Sequence, residues 1–368
     1  MEERFDTQTL MSDARMEEER AWRRRVAEAA LAASALELAT SQSHTSAENP
    51  LLEPRPLLSL DHSQLRPDGM VEIQLSDDRC INVMTRAFGP EDGYPIIFCP
   101  GLPASGMPDL PYQRTRDLHF SGLRLLMWDR PAYGDSERWQ GHRVGDGAVL
   151  MQAIGQAYNL AQFSVAGRSG GAPYALAAGA LLPEAVNVAI FACRAPANAE
   201  IDRLSGAETN NERLLGLADE EVLAKSFEDT SGEAIIRNPS GVIRSIVPHL
   251  GPSDRRVVNE PQVHRYLAAS HENALKHGST GRIDNIMALR AHWCFELSDL
   301  GDKEVYVIQG TADDKYTSIA HFNYLIDHIP NTVPIGRPDM GHMGTMALEM
   351  PVFRALARGA FQLYPPWK

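Results

Sequence analysis

Short apolar runs, each four to nine residues long and separated by polar or glycine- and proline-containing stretches, recur along most of the chain. They fall at Met70–Leu75, Cys80–Phe88, Pro95–Cys99, Leu123–Trp128, Phe163 onward, Val186–Cys193, Glu304–Gln309 and Thr332–Ile335. Their length, and their richness in Val, Ile and Phe, read as buried strands rather than helices. Helical segments fall between them, over residues 112–120, 144–160, Leu176–Leu182, Ser318–Ile329 and 345–363. Strands alternating with helices predict an α/β domain with a mostly parallel sheet and helices on both faces. The first two strands, joined by the polar turn Ser76–Arg79, read instead as an opening hairpin.

Two stretches break the alternation. Residues 197–302 are polar and helical, interrupted at Asn238-Pro239, Gly251-Pro252 and His277-Gly278, with no strand as strong as their neighbours. An insertion there, between two core strands, is expected to form a helical cap above the carboxyl edge of the sheet. Residues 10–39 carry Trp22, Val26, Ala29, Ala33 and Leu36 at helical spacing, followed by a Ser-, Thr-, Asn- and Pro-rich linker over 40–57. The expected organisation is an extension over residues 1–60, a core over 61–196 and 303–368, and the cap over 197–302. The extension has two readings: a helix that packs on its own domain, or one that pairs two copies into a homodimer or flaps over the site.

Composition narrows the partners. The 368 residues are 43% apolar and 23% charged, ordinary for a globular chain, with a formal charge of −13. Nucleic acid binding needs a basic stripe, so an acidic chain argues against it. No apolar run approaches the ~20 residues of a membrane span. The alanine-rich run after Arg23-Arg24-Arg25 is interrupted by Glu28 and Glu37, which reads as a helix rather than a signal peptide. Cys80, Cys99, Cys193 and Cys294 are far apart and form no C-x-x-C pair, so a cytoplasmic protein without disulfides is expected.

The chemistry concentrates at Gly167-Arg168-Ser169-Gly170-Gly171, which matches G-x-S-x-G between an apolar strand and an Ala/Leu-rich helix. A serine at the tip of so tight a turn leaves no room for side chains two residues either side, and glycine fits. A serine hydroxyl needs a base within hydrogen-bond reach and an acid to orient that base. Gly310-Thr311-Ala312-Asp313-Asp314 delivers an acid from the end of a strand, and Gly341-His342-Met343-Gly344 places a histidine on a glycine-flanked loop after the next strand. Asp313 is the best-placed acid, with Asp314, Glu200 and Asp202 as rivals. Asp129 and Arg130 read as structural. The cap histidines His249, His264, His271 and His277 lack metal-ligand spacing and read as surface residues.

Taken together, Gly101-Leu102-Pro103, Asp129-Arg130-Pro131-Ala132-Tyr133-Gly134-Asp135-Ser136, Gly167–Gly171, Gly310–Asp313 and Gly341-His342 resemble the α/β-hydrolase superfamily. Within it they are similar to the capped branch related to prolyl-iminopeptidases and small-molecule esterases. The likeness spans residues 71 to 363. One departure is Cys99-Pro100, which stands where the family usually has a histidine before the glycine.

The resemblance implies an eight-stranded sheet, Ser169 as nucleophile, Asp313 as acid and His342 as base. It also implies an oxyanion hole from the backbone N–H groups of Leu102 and Gly170, with no metal and no cofactor. The activity it implies is a serine hydrolase acting on an ester, lactone or thioester of a small or medium-sized molecule. Two rivals use the same residues: an acyltransferase, and a non-catalytic binding module that keeps the fold. A serine at this position argues against epoxide hydrolase or dehalogenase chemistry, for which the fold uses aspartate there.

Overall fold

The computed structural model describes residues 53–199, 232–313 and 316–358. The described residues all lie within one compact unit, residues 50–368, so the expected 10–39 helix and its pairing role fall outside the described residues.

Among the described residues the sheet has nine strands, not the expected eight. The strands are β1 (Leu60–Leu65), β2 (Met70–Leu75), β3 (Cys80–Phe88), β4 (Tyr94–Cys99), β5 (Leu123–Trp128), β6 (Phe163–Arg168), β7 (Ala185–Phe191), β8 (Val305–Gly310) and β9 (Thr332–Arg337), in the order β1-β2-β3-β5-β4-β6-β7-β8-β9. The additional strand is β1, paired antiparallel with β2 at the sheet's edge. Its sequence, Leu-Asp-His-Ser-Gln-Leu, buries none of its six residues fully. An edge strand with polar side chains in water has no apolar run to betray it, and that polarity also discourages pairing with another chain.

β2 and β3 form the expected hairpin, and β3 pairs antiparallel with β5. From β5 to β9 every pairing is parallel. Parallel strands covered on both faces need apolar residues at successive positions. Ile97, Val165, Ile190 and Val307 point into one core; their neighbours Ile96, Ala166, Phe191 and Ile308 point into another. The first core is covered by α2 (Asp146–Ala157) and α3 (Ala172–Leu181). The second is covered by α1 (Tyr112–Phe120) and by the last helix, through Leu118, Val352 and Phe353.

Between β7 and β8 the described residues form α4 (Gly232–Arg237), α5 (Pro239–Ile246), α6 (Pro252–Asn259), α7 (Pro261–Leu275) and α8 (Thr280–Arg290). The breaks read from sequence are helix boundaries. Proline opens α5, α6 and α7, where its missing N–H costs nothing. Gly278 follows α7 with φ +95°, a left-handed conformation that favours glycine. After β8 come α9 (Ile319–His328), β9, a 3-10 helix over Met343–Leu348, and α10 (Glu349–Leu356).

One buried group ties stability to pH. His142 is 3% exposed, donates Nδ1–H to the Trp139 carbonyl at 2.9 Å, and sets Nε2 3.1 Å from Tyr174 Oη. Burial pushes its pKa down to about 4. The unfolded chain, with an ordinary histidine near 6.5, binds a proton between pH 6.5 and 4 that the folded chain refuses. Stability therefore falls as pH drops through that window, by on the order of 3 kcal/mol from this residue. Urea unfolding at pH 7 and pH 4.5 is expected to show a clearly smaller pH-driven loss for His142→Asn than for wild type. Equal losses would remove His142 from the account.

Candidate active site

Ser169 sits where β6 ends and α3 is about to begin, with φ +52°, a left-handed conformation unusual for a residue other than glycine. The neighbours explain the flanking glycines. A Cβ on Gly167 would stand 2.5 Å from the Gly171 carbonyl oxygen, and one on Gly171 only 2.1 Å from that of Pro100. The loop after β4 passes directly against this turn, so a side chain at Gly171 would collide with it.

That loop carries Leu102. A Cβ on Gly101 would lie 3.3 Å from Ser169 Cβ, and one on Gly170 would lie 2.4 Å from Leu102 Cδ1. Leu102 and Gly170 are thus packed together beside the serine. Arg130, 1% exposed, anchors the loop from below: its guanidinium donates to the carbonyls of Pro100 and, at 2.8 Å, Gly101. Asp129 accepts the Gly106 N–H at 2.9 Å, and burial raises its pKa to about 7. Asp129 and Arg130 hold two points of one loop, and no ion pair joins them to each other among the described residues.

Asp313 and His342 meet. Asp313 Oδ2 lies 2.5 Å from His342 Nδ1, with the residues 6% and 5% exposed. The carboxylate is fixed in turn: Oδ1 accepts the Tyr316 N–H at 3.0 Å and Oδ2 the Thr317 N–H at 3.2 Å. The acid and histidine loops are laced together by the Ala312 N–H to the Met340 carbonyl at 3.0 Å. The ring of Tyr316 packs on the imidazole, centroids 4.7 Å apart. With Nδ1 turned to the acid, Nε2 is the nitrogen left for chemistry. No hydrogen bond joins His342 to Ser169 Oγ among the described residues; bonds of this kind are often long in free enzymes and tighten with substrate.

Asp314, Glu200 and Asp202 lie outside the described residues. Of the four helical-segment histidines, His249 and His277 are exposed. His264 and His271 are half-buried, against the expectation of surface residues: His264 Nε2 lies 2.8 Å from Ser240 Oγ, and His271 donates Nδ1–H to Leu267 at 2.7 Å. Packing of α7 on its neighbours takes these rings out of water, and burial pushes His271 down to about 4. Among the described residues no group of three His, Cys, Asp or Glu could hold a metal, and the four cysteines are free. No described helix is long and apolar enough to cross a membrane. A cavity of about 930 Å³ opens between the 107–112 loop and α7, lined by Arg86, Tyr112, Arg265 and Lys276 among others, but not by Ser169, Asp313 or His342.

The same architecture occurs in solved proteins of low identity. A thermophilic esterase from Thermogutta terrifontis is 17% identical, covers 80% of this chain and 99% of its own, with a TM-score of 0.53. An α/β-hydrolase fold protein from Nakamurella multipartita is 19% identical, covering 78% of this chain and 97% of its own, at 0.51. This is the α/β-hydrolase fold. Another similar α/β-hydrolase structure, an epoxide hydrolase from Vigna radiata, is 17% identical over 80% of this chain and 98% of its own, at 0.53. The chain matches no protein-family model and no curated protein sequence. In the α/β-hydrolase fold, ligands are expected beyond the carboxyl ends of the strands, which is the edge where Ser169, Asp313 and His342 sit.

Proposed function

We propose that this chain is a serine hydrolase that cleaves an ester, lactone or thioester of a small or medium-sized molecule. One observation carries the reading. A serine in a left-handed turn and a buried Asp–His pair, 2.5 Å apart, leave the same edge of one sheet on loops after β6, β8 and β9. Adjacent strands are about 4.8 Å apart, so β6 and β8, with β7 between them, are within reach of a side chain and a loop.

In this reading His342 Nε2 takes the proton from Ser169 as Oγ attacks the carbonyl carbon. The negative oxygen accepts from the backbone N–H groups of Leu102 and Gly170, each such donor being worth about 3 kcal/mol in comparable sites. His342 then passes the proton to the leaving group as its bond to carbon breaks, which leaves an acyl-enzyme. Water, deprotonated by His342, releases the acid and restores Ser169. Asp313 holds the imidazole and stabilises its cationic form. Epoxide ring opening, as the name of one structural neighbour would suggest, is disfavoured by a serine at the nucleophile position. The helices between β7 and β8 serve in this reading as the cap that shapes the substrate site.

A fluorophosphonate probe is the direct test. Incubation with folded protein is expected to add one phosphonyl group, mapped by peptide mass to Ser169, and an ester panel without any added acceptor is expected to release free acid. Folded protein that takes up no probe would point to a binding module instead. Turnover only in the presence of an amine or alcohol acceptor would point to acyl transfer.

A further inference from the structure

We propose that the helices between β7 and β8 act as a clamp on the catalytic loops, with Asp254 setting the loop of His342 and Asn273 setting the loop of Leu102. The proposal rests on the serine-hydrolase reading above and assigns these two side chains as positioning residues for it.

The histidine loop is gripped on both sides of the imidazole. Asp254, 4% exposed in the first turn of α6, accepts the Gly344 N–H through Oδ1 at 2.7 Å. Its neighbour Ser253 accepts the Gly341 N–H at 3.0 Å and donates its own hydroxyl to Asp254 Oδ1 at 3.3 Å. Bonds to a charged acceptor are shorter and stronger than neutral ones, and burial strengthens them further. The glycines flanking His342 are explained by the same contact. A Cβ on Gly341 would stand 2.6 Å from Asp254 Oδ2, and one on Gly344 would stand 3.1 Å from Ser253 Oγ. The spacing Gly-His-Met-Gly is what lets a carboxylate from a segment some 90 residues earlier close on the backbone.

The Leu102 loop is gripped by α7. Ser270 Oγ donates to the Ser105 carbonyl at 2.7 Å and accepts the Ser105 N–H at 3.0 Å. Asn273 Nδ2 donates to Ser105 Oγ at 2.7 Å and to Asp129 Oδ2 at 3.3 Å. Asp129 holds the Gly106 N–H with its other oxygen. Ser105, Ser270 and Asp129 are fully buried. If the helices served only to cover the site, nothing would require their buried polar groups to end on the two loops that carry the base and an oxyanion donor. Displacement of a reacting group by about 1 Å costs about 10²-fold in rate, so a grip of this kind acts on turnover more than on substrate affinity.

The test compares Asp254→Ala, Asp254→Asn and Asn273→Ala with wild type by rate of fluorophosphonate labelling, kcat, KM and thermal unfolding. Asp254→Ala is expected to lower kcat and labelling by about 10²-fold with KM little changed. Asp254→Asn keeps an oxygen for the Gly344 N–H and is expected to restore most of that loss. Asn273→Ala is expected to lower kcat in the same direction. Should Asp254→Ala not fold, Ser253→Ala removes the bond to Gly341 and the one to Asp254 and is expected to cost about five- to tenfold. A folded Asp254→Ala, or Ser253→Ala in its place, that labels as fast as wild type overturns the clamp. So does Asp254→Asn as slow as Asp254→Ala. Wild type that does not label at all overturns the serine reading, and the clamp with it.

Discussion

Ser169→Ala is expected to lower ester turnover by on the order of 10⁵-fold or more while leaving the fold intact. The size follows from the proposed role, since removing a nucleophile leaves only binding and oxyanion stabilisation. The intact fold follows from the structure. Ser169 Oγ makes no hydrogen bond among the described residues, so alanine removes no structural contact. The backbone at φ +52° is strained for serine and alanine alike. A second variant separates strain from chemistry: Ser169→Gly relieves the left-handed strain and is expected to raise unfolding stability by about 1 kcal/mol while being equally inactive. Initial rates on the best ester of a panel, with urea unfolding of each variant alongside, provide both readouts. A loss of only a few-fold in rate would sink the nucleophile assignment.

Glu349→Ala is expected to destabilise the protein by about 3–5 kcal/mol, the largest stability effect we expect from a single substitution here. The Glu349 carboxylate is fully buried at the start of α10, accepts a hydrogen bond from Arg168 through one oxygen and is ion-paired with Arg114 through the other. Alanine would leave two guanidinium groups, with side chains about a tenth exposed, without their shared anion. Attraction between buried charges is largely offset by their desolvation, so the harm comes from stranding the partners rather than from losing a net gain. Glu349→Gln, which keeps the shape, is expected to fall between alanine and wild type. Replacing Glu349, Arg168 and Arg114 together by Leu and Met side chains is expected to recover most of the loss. The midpoint of urea unfolding measures all three, and a Glu349→Ala midpoint equal to wild type would refute the account. Arg168 directly precedes Ser169, and Glu349 follows His342 across the short helical stretch Met343–Leu348, so the same pair ties the serine's turn to the histidine's loop.

None of these three charges stood out in the sequence. Arg168 reads as the variable position of G-x-S-x-G, and Glu349 lies 181 residues away. Asp254 and Asn273 were equally silent, because polar residues in a polar helical stretch carry no periodic signal. β1 carries no apolar run for a related reason, its edge position leaving Asp61, His62, Ser63 and Gln64 free to be polar. The central parallel strands, by contrast, are legible to within a residue or two, since burial on both faces puts apolar residues at most successive positions of β4, β5, β6, β7 and β8.

The sequence by itself determined the alternation of strands and helices, the turn at Ser169 with its obligatory glycines, and the order serine, acid, histidine along the chain. These are local facts, set by side-chain size and backbone conformation within a few residues. Only the tertiary structure decided that Asp313 meets His342, that Arg130 holds the Leu102 loop, and that α6 and α7 close on the His342 and Leu102 loops. Those contacts join residues tens to hundreds of positions apart, and a hydrogen bond between distant segments leaves no trace in either segment until the chain has folded.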